Sequence, residues 1–202
     1  MTTPDPWLAA GDLSYDDMGN LAFNALRIGR LLDVLGTLAE PVAPLRLLDA
    51  GCGTGWLTRA LASFGHQVDG IDSATATVEA CRGQSRADGR DHYAVSRLDT
   101  WAPSYLYDAV VSVDVLFLIS QDSLWEASVV NLASLVRSGG RLVLADHNLA
   151  QDHPWGGRQV SRARRRYVDL LAAEGLVYRR SVPYEFRDSD AGFHVFDRIA
   201  CC

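Results

Sequence analysis

The sequence carries Leu45-Arg-Leu-Leu-Asp-Ala-Gly51-Cys-Gly53-Thr-Gly55, in which a short apolar run is followed by an acidic residue and three glycines at alternate positions. Glycines in this arrangement let the backbone turn sharply and let a ligand approach where a Cβ atom would collide. The apolar run has the length of a buried strand, and a helical pattern begins at Trp56. The stretch therefore predicts a strand, a glycine-rich loop and a helix that bind a nucleotide cofactor.

The glycine spacing distinguishes between kinds of nucleotide-binding loop. A dinucleotide-binding loop has a third glycine three positions after the second, and here this position is Trp56, which would block the approach of a pyrophosphate. A phosphate-binding P-loop ends in Gly-Lys-Ser or Gly-Lys-Thr, and the chain contains no lysine. The remaining pattern is Asp-x-Gly-x-Gly-x-Gly, from Asp49 to Gly55.

Length and charge narrow the class of protein. A chain of 202 residues suits one domain with a full hydrophobic core. Its net charge of −6 argues against a nucleic-acid partner, because binding phosphates requires a basic surface. The basic run Arg162-Ala-Arg-Arg-Arg166 is interpreted as a solvated helix face, with a patch for an anionic substrate as the alternative.

Targeting signals and cysteines indicate the compartment. Residues 1–10 lack the basic and apolar regions of a signal peptide, and no apolar run approaches the roughly 20 residues that span a bilayer. We therefore expect a cytoplasmic protein with no membrane partner. Cys52, Cys81, Cys201 and Cys202 form a poor disulfide framework, so we expect reduced thiols.

The order of predicted elements indicates an open α/β fold. Apolar strands alternate with helices, which is typical of a parallel sheet with helices on both faces. We divide the chain into an N-terminal arm and lid helix at 1–40 and a single globular unit at 41–202. The predicted strands are 45–50, 67–71, 92–95, 107–113, 141–145, 176–186 and 193–199, the last two as an antiparallel hairpin; the predicted helices are 17–36, 56–64, 74–82, 123–136 and 158–173.

Acidic residues follow most of the predicted parallel strands. Ligands of open parallel sheets bind beyond the carboxyl ends of the strands, so these positions are candidate site residues. Asp72 can accept hydrogen bonds from both hydroxyls of a ribose, or it can cap the helix that follows. Asp99 suits the amine of adenine, with Trp101 against the ring, or it caps a turn. Asp114 and Asp146 follow the next two strands.

These residues resemble the motifs of the class I S-adenosylmethionine-dependent methyltransferases over roughly residues 15–148. In this resemblance, 49–55 is the first motif, Gly70-Ile-Asp72-Ser73 binds the ribose, 98–101 binds the adenine edge and 107–116 is the second motif. The resemblance implies S-adenosyl-L-methionine as cofactor and a Rossmann-like, mostly parallel seven-stranded sheet with an antiparallel C-terminal hairpin. The cofactor-binding residues that it implies are Tyr15, Arg27, Asp49, Gly51, Cys52, Gly53, Gly55, Asp72, Ser73, Asp99, Thr100, Trp101 and Val113.

One segment is similar to a particular subfamily, and another departs from it. Asn24-Ala-Leu-Arg27 resembles a segment of the ubiquinone-pathway O-methyltransferases, whose arginine holds the cofactor carboxylate. Those enzymes look metal-assisted, and in them an acidic residue after the fourth strand is followed, three and four positions on, by a Glu-His pair. Here the positions are Asp114, Phe117 and Leu118, which offer a hard cation too few oxygens. We expect no catalytic metal, and an apolar or aromatic acceptor at a pocket mouth lined by 115–118.

Methyl transfer requires alignment of the acceptor, and a general base only if the acceptor starts protonated. His147 is the candidate base, with Asp146 to orient it and Asp114 as a second catalytic residue; a purely structural histidine is the alternative. The acceptor is expected to be small, a secondary metabolite or quinone-like phenol methylated at oxygen or nitrogen. Two alternatives remain open: an enzyme of this fold that uses its cofactor without methyl transfer, such as a cyclase, and a non-catalytic cofactor-binding module.

Overall fold

A computed structural model describes residues 17–36, 38, 43–156, 159–186 and 190–200. The main sheet consists of β1 Arg46–Ala50, β2 Gln67–Asp72, β3 Asp91–Val95, β4 Tyr107–Ser112, β5 Val136–His147, β8 Leu176–Pro183 and β9 Ala191–Arg198. The helices are α1 Asp17–Gly36, α2 Trp56–Ser63, α3 Thr75–Arg82, α4 Asp122–Ser134 and α5 Arg164–Ala173, with a short 3-10 helix at Leu116–Leu118. A separate hairpin pairs β6 His153–Gly156 with β7 Gln159–Ser161. Within these ranges no helix is both long and apolar enough to cross a bilayer.

The sheet has the order β3-β2-β1-β4-β5-β9-β8. Strands β1 to β5 run parallel, and β9 is antiparallel to both β5 and β8. The chain builds outward from β1 to β2 and β3, and then crosses to the other side of β1 to form β4. This reversal leaves a crevice above the ends of β1 and β4, where open α/β sheets bind ligands. The predicted mostly parallel, seven-stranded architecture is confirmed.

Two layers of apolar side chains cover the two faces of the sheet. Leu47 packs with α1 and α2 on one face, and its neighbour Leu48 packs with α4 and α5 on the other. Successive side chains of a strand point in opposite directions, so a strand buried on both faces is apolar throughout. Leu31 and Leu35 of α1 are fully buried in the first layer. The proposed division of the chain near residue 40 stays a prediction, although α1 shares the core of the sheet.

The predicted helix at 158–173 is wrong in its first part. Strand β7 occupies 159–161, and α5 begins only at Arg164. Arg162 is the physical reason, because its guanidinium is fully buried and donates to the Ser120 carbonyl and the Asp122 carboxylate beside the Trp125 ring. A helix through this position would move the guanidinium away from these partners.

The basic run is therefore only partly a solvated face. Arg165 is exposed and pairs with Asp169 one turn later, as a solvated face predicts. Arg166 instead contacts three acidic side chains. Together with the buried Arg162, it connects α5 and the hairpin to α4 through ion pairs. Its acidic partners are Asp122, Glu126 and Asp152.

The end of α4 also differs from the prediction. The helix ends at Ser134 and not at 136, and β5 starts at Val136 and not at 141. Val136 is already paired with Tyr107 of β4, so the backbone is extended before the glycines that follow. A Cβ atom at Gly140 would lie 2.8 Å from the carbonyl oxygen of Asp108, which shows how closely the two strands approach there.

Candidate functional site

A cavity of about 600 Å³ lies at the carboxyl edge of the sheet, where the strand order reverses. Its wall consists of the loops that follow β1, β2, β3 and β4 and of the first turns of α4. This is the place where an open parallel sheet binds its ligand. The wall residues are Gly51, Cys52, Gly53, Thr54, Trp56, Asp72, Ser73, Arg97, Leu98, Asp99, Val113, Asp114, Val115, Leu118, Ile119, Leu124 and Ser128.

The three glycines of the loop differ in what surrounds the position that a Cβ atom would take. All three have positive φ angles, 85° at Gly51, 50° at Gly53 and 74° at Gly55. A Cβ atom at Gly51 would lie 2.3 Å from Cγ2 of Val115, and one at Gly55 would lie 2.8 Å from Nη1 of Arg59. A Cβ atom at Gly53 would meet nothing within 4 Å. Gly51 and Gly55 are therefore required by the packing of the protein, whereas Gly53 leaves the backbone open to a ligand.

Asp72 serves the loop and faces the cavity at the same time. One carboxylate oxygen accepts the backbone N–H of Gly53 at 3.0 Å, and the other accepts the N–H of Ala74 at 2.9 Å. The second contact lies at the start of α3, so the capping interpretation describes part of its role. Each oxygen has a further lone pair for a ligand hydroxyl. Ser73 lies beside it in the wall.

Asp99 is held by an arginine that the sequence analysis did not select. Nε and Nη2 of Arg97 each donate to one oxygen of Asp99 at 2.8 Å. This bidentate contact lowers the pKa of Asp99, so the carboxylate stays ionised in the cavity wall. Thr100 is exposed outside the wall, and the indole of Trp101 donates to the Tyr107 hydroxyl at 3.1 Å. The structure brings neither of these two predicted residues into the cavity wall.

Asp49 lies beneath the loop and not in the cavity wall. Its side chain is 2% exposed, because it projects from β1 toward α2, where it accepts the Thr58 hydroxyl at 2.6 Å. Burial raises its pKa from the ordinary value of 3.8 to about 6, against the opposing effect of the Thr58 hydrogen bond. Its cofactor role stays a prediction, and its observed contact joins β1 to α2.

The raised pKa of Asp49 makes stability depend on pH. The folded state holds the Asp49 proton more tightly than the unfolded chain, so this contribution is complete below pH 3.8 and is lost as the pH rises through about 6. The Asp49→Asn variant has no ionisable group at this position, so its stability lacks this pH-dependent contribution. We expect the free energy of unfolding of the wild type, measured relative to the variant in urea, to fall by up to about 3 kcal/mol between about pH 4 and pH 7. A difference that is constant with pH would contradict the assignment.

A buried arginine fixes the carboxylate that follows β4. Asp114 lies in the cavity wall with a φ of 60° and pairs with Arg27 of α1. Arg27 is 1% exposed, donates to Oδ1 of Asn24 at 2.5 Å, and lies 4.4 Å from the Phe23 ring centre and 5.0 Å from that of Trp56. The guanidinium thus reaches the cavity through Asp114. Its predicted contact with a cofactor carboxylate stays a prediction.

The histidine at the end of β5 has another orienting partner than expected. Asp146 is buried and accepts hydrogen bonds from the Tyr167 hydroxyl and from the backbone N–H of His147. Its carboxylate does not reach the His147 ring, because neighbouring side chains of a strand point to opposite faces of the sheet. The His147 ring instead contacts Asp190 through Nδ1, at 2.5 Å, and packs 4.6 Å from the Trp155 indole. The expectation that Asp146 orients His147 is therefore wrong. His147 lies at the same edge of the sheet, outside the cavity wall.

The apolar side of the cavity differs from the predicted 115–118. Val115 and Leu118 lie in the wall, but Leu116 is buried in the core and Phe117 is outside the wall. Across the described ranges no three His, Cys, Asp or Glu side chains form a group that could hold a metal. Tyr15 lies outside the described residues. Wall residues that the sequence analysis missed are Thr54, Trp56, Arg97, Ile119, Leu124 and Ser128; Thr54, Trp56 and Arg97 adjoin the selected motifs, and the others carry no local signal.

Comparison with known proteins gives one family and several similar structures. The methyltransferase domain family matches residues 23–186. The chain is 23% identical over 134 residues to a ubiquinone biosynthesis O-methyltransferase of Rickettsia canadensis (strain McKiel), covering 65% of this chain and 56% of the relative. The chain spans about half the length of the curated relatives that it matches.

Two crystal structures have a similar fold. One is magnesium protoporphyrin IX methyltransferase from Synechocystis PCC 6803 with bound SAM, at a TM-score of 0.70 and 22% identity, covering 93% of this chain and 86% of that one. The other is the N-methyltransferase NodS from Bradyrhizobium japonicum WM9, at a TM-score of 0.67 and 19% identity, covering 88% of this chain and 97% of that one. At these identities the likeness concerns the fold.

Proposed function

The chain belongs to the methyltransferase domain family, and from this premise we propose that it binds S-adenosyl-L-methionine in the cavity. We further propose that it methylates an oxygen or nitrogen of a small, apolar or aromatic acceptor without a metal. The observation that carries the proposal is the open backbone at Gly53, directly beside a carboxylate that retains free lone pairs, Asp72.

The residues of the cavity suit this cofactor. Asp72 has acceptor capacity for the two ribose hydroxyls, and Gly53 presents no side chain to the part of the molecule above the loop. Asp99 is an ionised acceptor for an exocyclic amine, and Leu98 and Ile119 supply apolar surface for a ring. When bound, S-adenosylmethionine supplies a methyl group on a sulfonium centre that an acceptor can attack.

His147 and Asp114 are the proposed catalytic residues. Asp190 accepts from Nδ1 of His147, which fixes the proton there and leaves Nε2 as the atom that can take a proton from an acceptor. Trp155 packs against the imidazole and limits its rotation. Arg27 holds the Asp114 carboxylate in place at the cavity wall. A base positioned in this way contributes only when the acceptor starts protonated.

Calorimetric titration tests the proposal first. S-adenosylmethionine and S-adenosylhomocysteine are expected to bind the full chain with one site, and absence of binding by both would exclude the methyltransferase and the cyclase alternatives together. The second step is a mass-spectrometric screen of phenols, quinols and amines for the gain of a methyl group. Binding without a methylated product from any acceptor would favour an enzyme that uses the cofactor differently or a non-catalytic module.

Removal of metal ions tests the proposed metal-independent reaction. Activity on an acceptor found in the screen is expected to be unchanged after dialysis against EDTA, because Phe117 and Leu118 stand where metal ligands would be needed. The control is the same dialysis followed by addition of Mg²⁺ or Zn²⁺. Loss of activity that either ion restores would overturn this part of the proposal.

Asp72→Ala is expected to weaken cofactor binding by roughly 1–3 kcal/mol, the value of a charge-assisted hydrogen bond. Calorimetry would measure the effect, with circular dichroism to confirm that the variant is folded. Asp33→Asn is the matched control, since it removes an exposed carboxylate of α1 outside the cavity wall. Equal affinities of Asp72→Ala and the wild type would remove the ribose assignment.

A further inference from the structure

Two cysteines lie in a small buried cluster behind the glycine loop. Cys52 belongs to the loop and Cys81 to α3, and they pack together with Val78 and Tyr93. Both are free thiols, 3% and 1% exposed. The proposed methyl transfer uses neither sulfur, although Cys52 borders the cavity.

The two thiols converge on one atom of the loop. Sγ of Cys81 lies 3.3 Å from the carbonyl oxygen of Gly53, and Sγ of Cys52 lies 3.8 Å from the same oxygen. The neighbouring Cys52 thiol, and after it the Arg59 guanidinium, lower the pKa of Cys81 against the opposing effect of burial, whereas Cys81 and burial raise the pKa of Cys52.

A buried cation adjoins Cys81. The position that a Cβ atom would take at Gly55 is 2.8 Å from Nη1 of Arg59 and 3.0 Å from Sγ of Cys81, so both groups border the same point. Nη1 and Nη2 of Arg59 are buried without a hydrogen-bond partner among the described residues. A thiolate on Cys81 would give this guanidinium a counter-charge. An adjacent cation favours the thiolate, so Arg59 beside Cys81 assigns the role of nucleophile to Cys81 and that of resolving thiol to Cys52.

We propose that Cys81 and Cys52 are a modification site, a dithiol that a hydroperoxide oxidises to a disulfide, and that the disulfide lowers affinity for the cofactor. The Cys81 thiolate attacks one oxygen of hydrogen peroxide: an S–O bond forms, the O–O bond breaks, and hydroxide leaves and is protonated to water. The Cys52 sulfur then attacks the sulfenic acid, forming the S–S bond and releasing the second water. Two thiols lose two electrons and two protons, and one peroxide becomes two waters.

The disulfide acts on the loop that the ligand approaches. It removes both S–H donors from the Gly53 carbonyl and ties the loop to α3. The same glycine donates its N–H to Asp72, so a displaced loop disturbs the carboxylate as well. This effect on affinity rests on the proposed function, whereas formation of the disulfide does not.

Peptide mapping tests the disulfide directly. In every sample Cys201 and Cys202 are replaced by serine, and the reduced full chain is treated with hydrogen peroxide, alkylated with iodoacetamide and digested with trypsin. Cleavage after Arg46, Arg59 and Arg82 places the two cysteines on separate peptides, 47–59 and 60–82. The expected product is these peptides joined and two hydrogens lighter than their sum. Recovery of both peptides unlinked and alkylated would overturn the proposal.

Single variants distinguish the two sulfurs. Cys52→Ser is expected to stop at the sulfenic acid, which dimedone traps on peptide 60–82, whereas Cys81→Ser is expected to resist peroxide. Trapping on peptide 47–59 of Cys81→Ser, at the rate seen for the other variant, would contradict the assignment of Cys81 as nucleophile.

Calorimetry with S-adenosylmethionine tests the consequence. Peroxide is expected to weaken binding by about tenfold or more, as loss of a hydrogen-bonded loop contact implies, and dithiothreitol is expected to restore it. A linked chain with unchanged affinity would overturn the effect on the cofactor. If the reduced chain binds no cofactor, the proposed function fails, and peptide mapping still decides the disulfide.

Discussion

Gly51→Ala is expected to destabilise the protein strongly, whereas Gly53→Ala is expected to leave it folded and to impair cofactor binding. At Gly51 the new Cβ atom would lie 2.3 Å from a methyl group of Val115 at a φ of 85°. The left-handed backbone and the overpacked contact together should lower the free energy of unfolding by about 2–5 kcal/mol. At Gly53 the new Cβ atom would meet no other residue within 4 Å. The expected loss of stability is therefore only the cost of the left-handed backbone, about 1–2 kcal/mol.

Urea unfolding and calorimetry of the two variants measure the two effects separately. Gly51→Ala combined with Val115→Ala serves as the control, since it removes the contacted methyl groups and should recover part of the lost stability. Equal losses of stability for Gly51→Ala and Gly53→Ala would contradict the steric argument. Unchanged cofactor affinity in Gly53→Ala would show that no ligand approaches this glycine.

The second large effect on stability is expected when the ion pair between Arg27 of α1 and Asp114 of the cavity wall is broken. Asp114→Asn is expected to lower the free energy of unfolding by about 3 kcal/mol, because it leaves the buried Arg27 cation without this carboxylate. Asparagine tolerates the left-handed backbone at this position about as well as aspartate. Arg27→Met should change stability by about 1 kcal/mol or less, since Asp114 is half-exposed and water can take over its charge.

Thermal and urea unfolding of both single variants and the double variant close a mutant cycle. The double variant is expected to resemble Arg27→Met, because the buried cation that Asp114 neutralises is absent from both variants. A larger loss for Arg27→Met than for Asp114→Asn would contradict the picture of a buried cation paired with a hydrated carboxylate.

Most of the sheet could be predicted because its signals are local. Short apolar runs mark β1, β4 and the second half of β5, and the glycines after β1 have a spacing that only a few loops share. The hairpin β6–β7 had no such signal. Its second strand, β7, lies in the stretch 158–173 that the local pattern predicts to be helical, and only the buried partners of Arg162, which lie at the start of α4, determine that this part is extended. A contact across roughly 40 positions in the chain leaves no period in the local sequence.

The residues of the cavity wall likewise divide into those with a local sequence signal and those that only the tertiary structure brings there. Gly51, Gly53, Asp72, Ser73, Asp99, Val113 and Asp114 were selected from the sequence and lie together in its wall. Leu124 and Ser128 complete the wall from α4, where two residues one turn apart look like any other helix face. The orientation of side chains could not be predicted from the sequence either. Asp49 and Asp146 point into the interior, and the Trp101 indole donates to the Tyr107 hydroxyl.

The sequence by itself determined the sheet, the glycine loop and the acidic strand ends, because hydrophobic periodicity and the freedom of glycine to adopt positive φ are properties of neighbouring residues. Tertiary structure alone decided which partner each polar side chain took: Arg27 with Asp114, His147 with Asp190, and Cys81 beside Cys52 and Arg59. Such pairings depend on which elements the fold brings within a few ångströms of each other and on the desolvation that follows. No spacing along the chain encodes either of these.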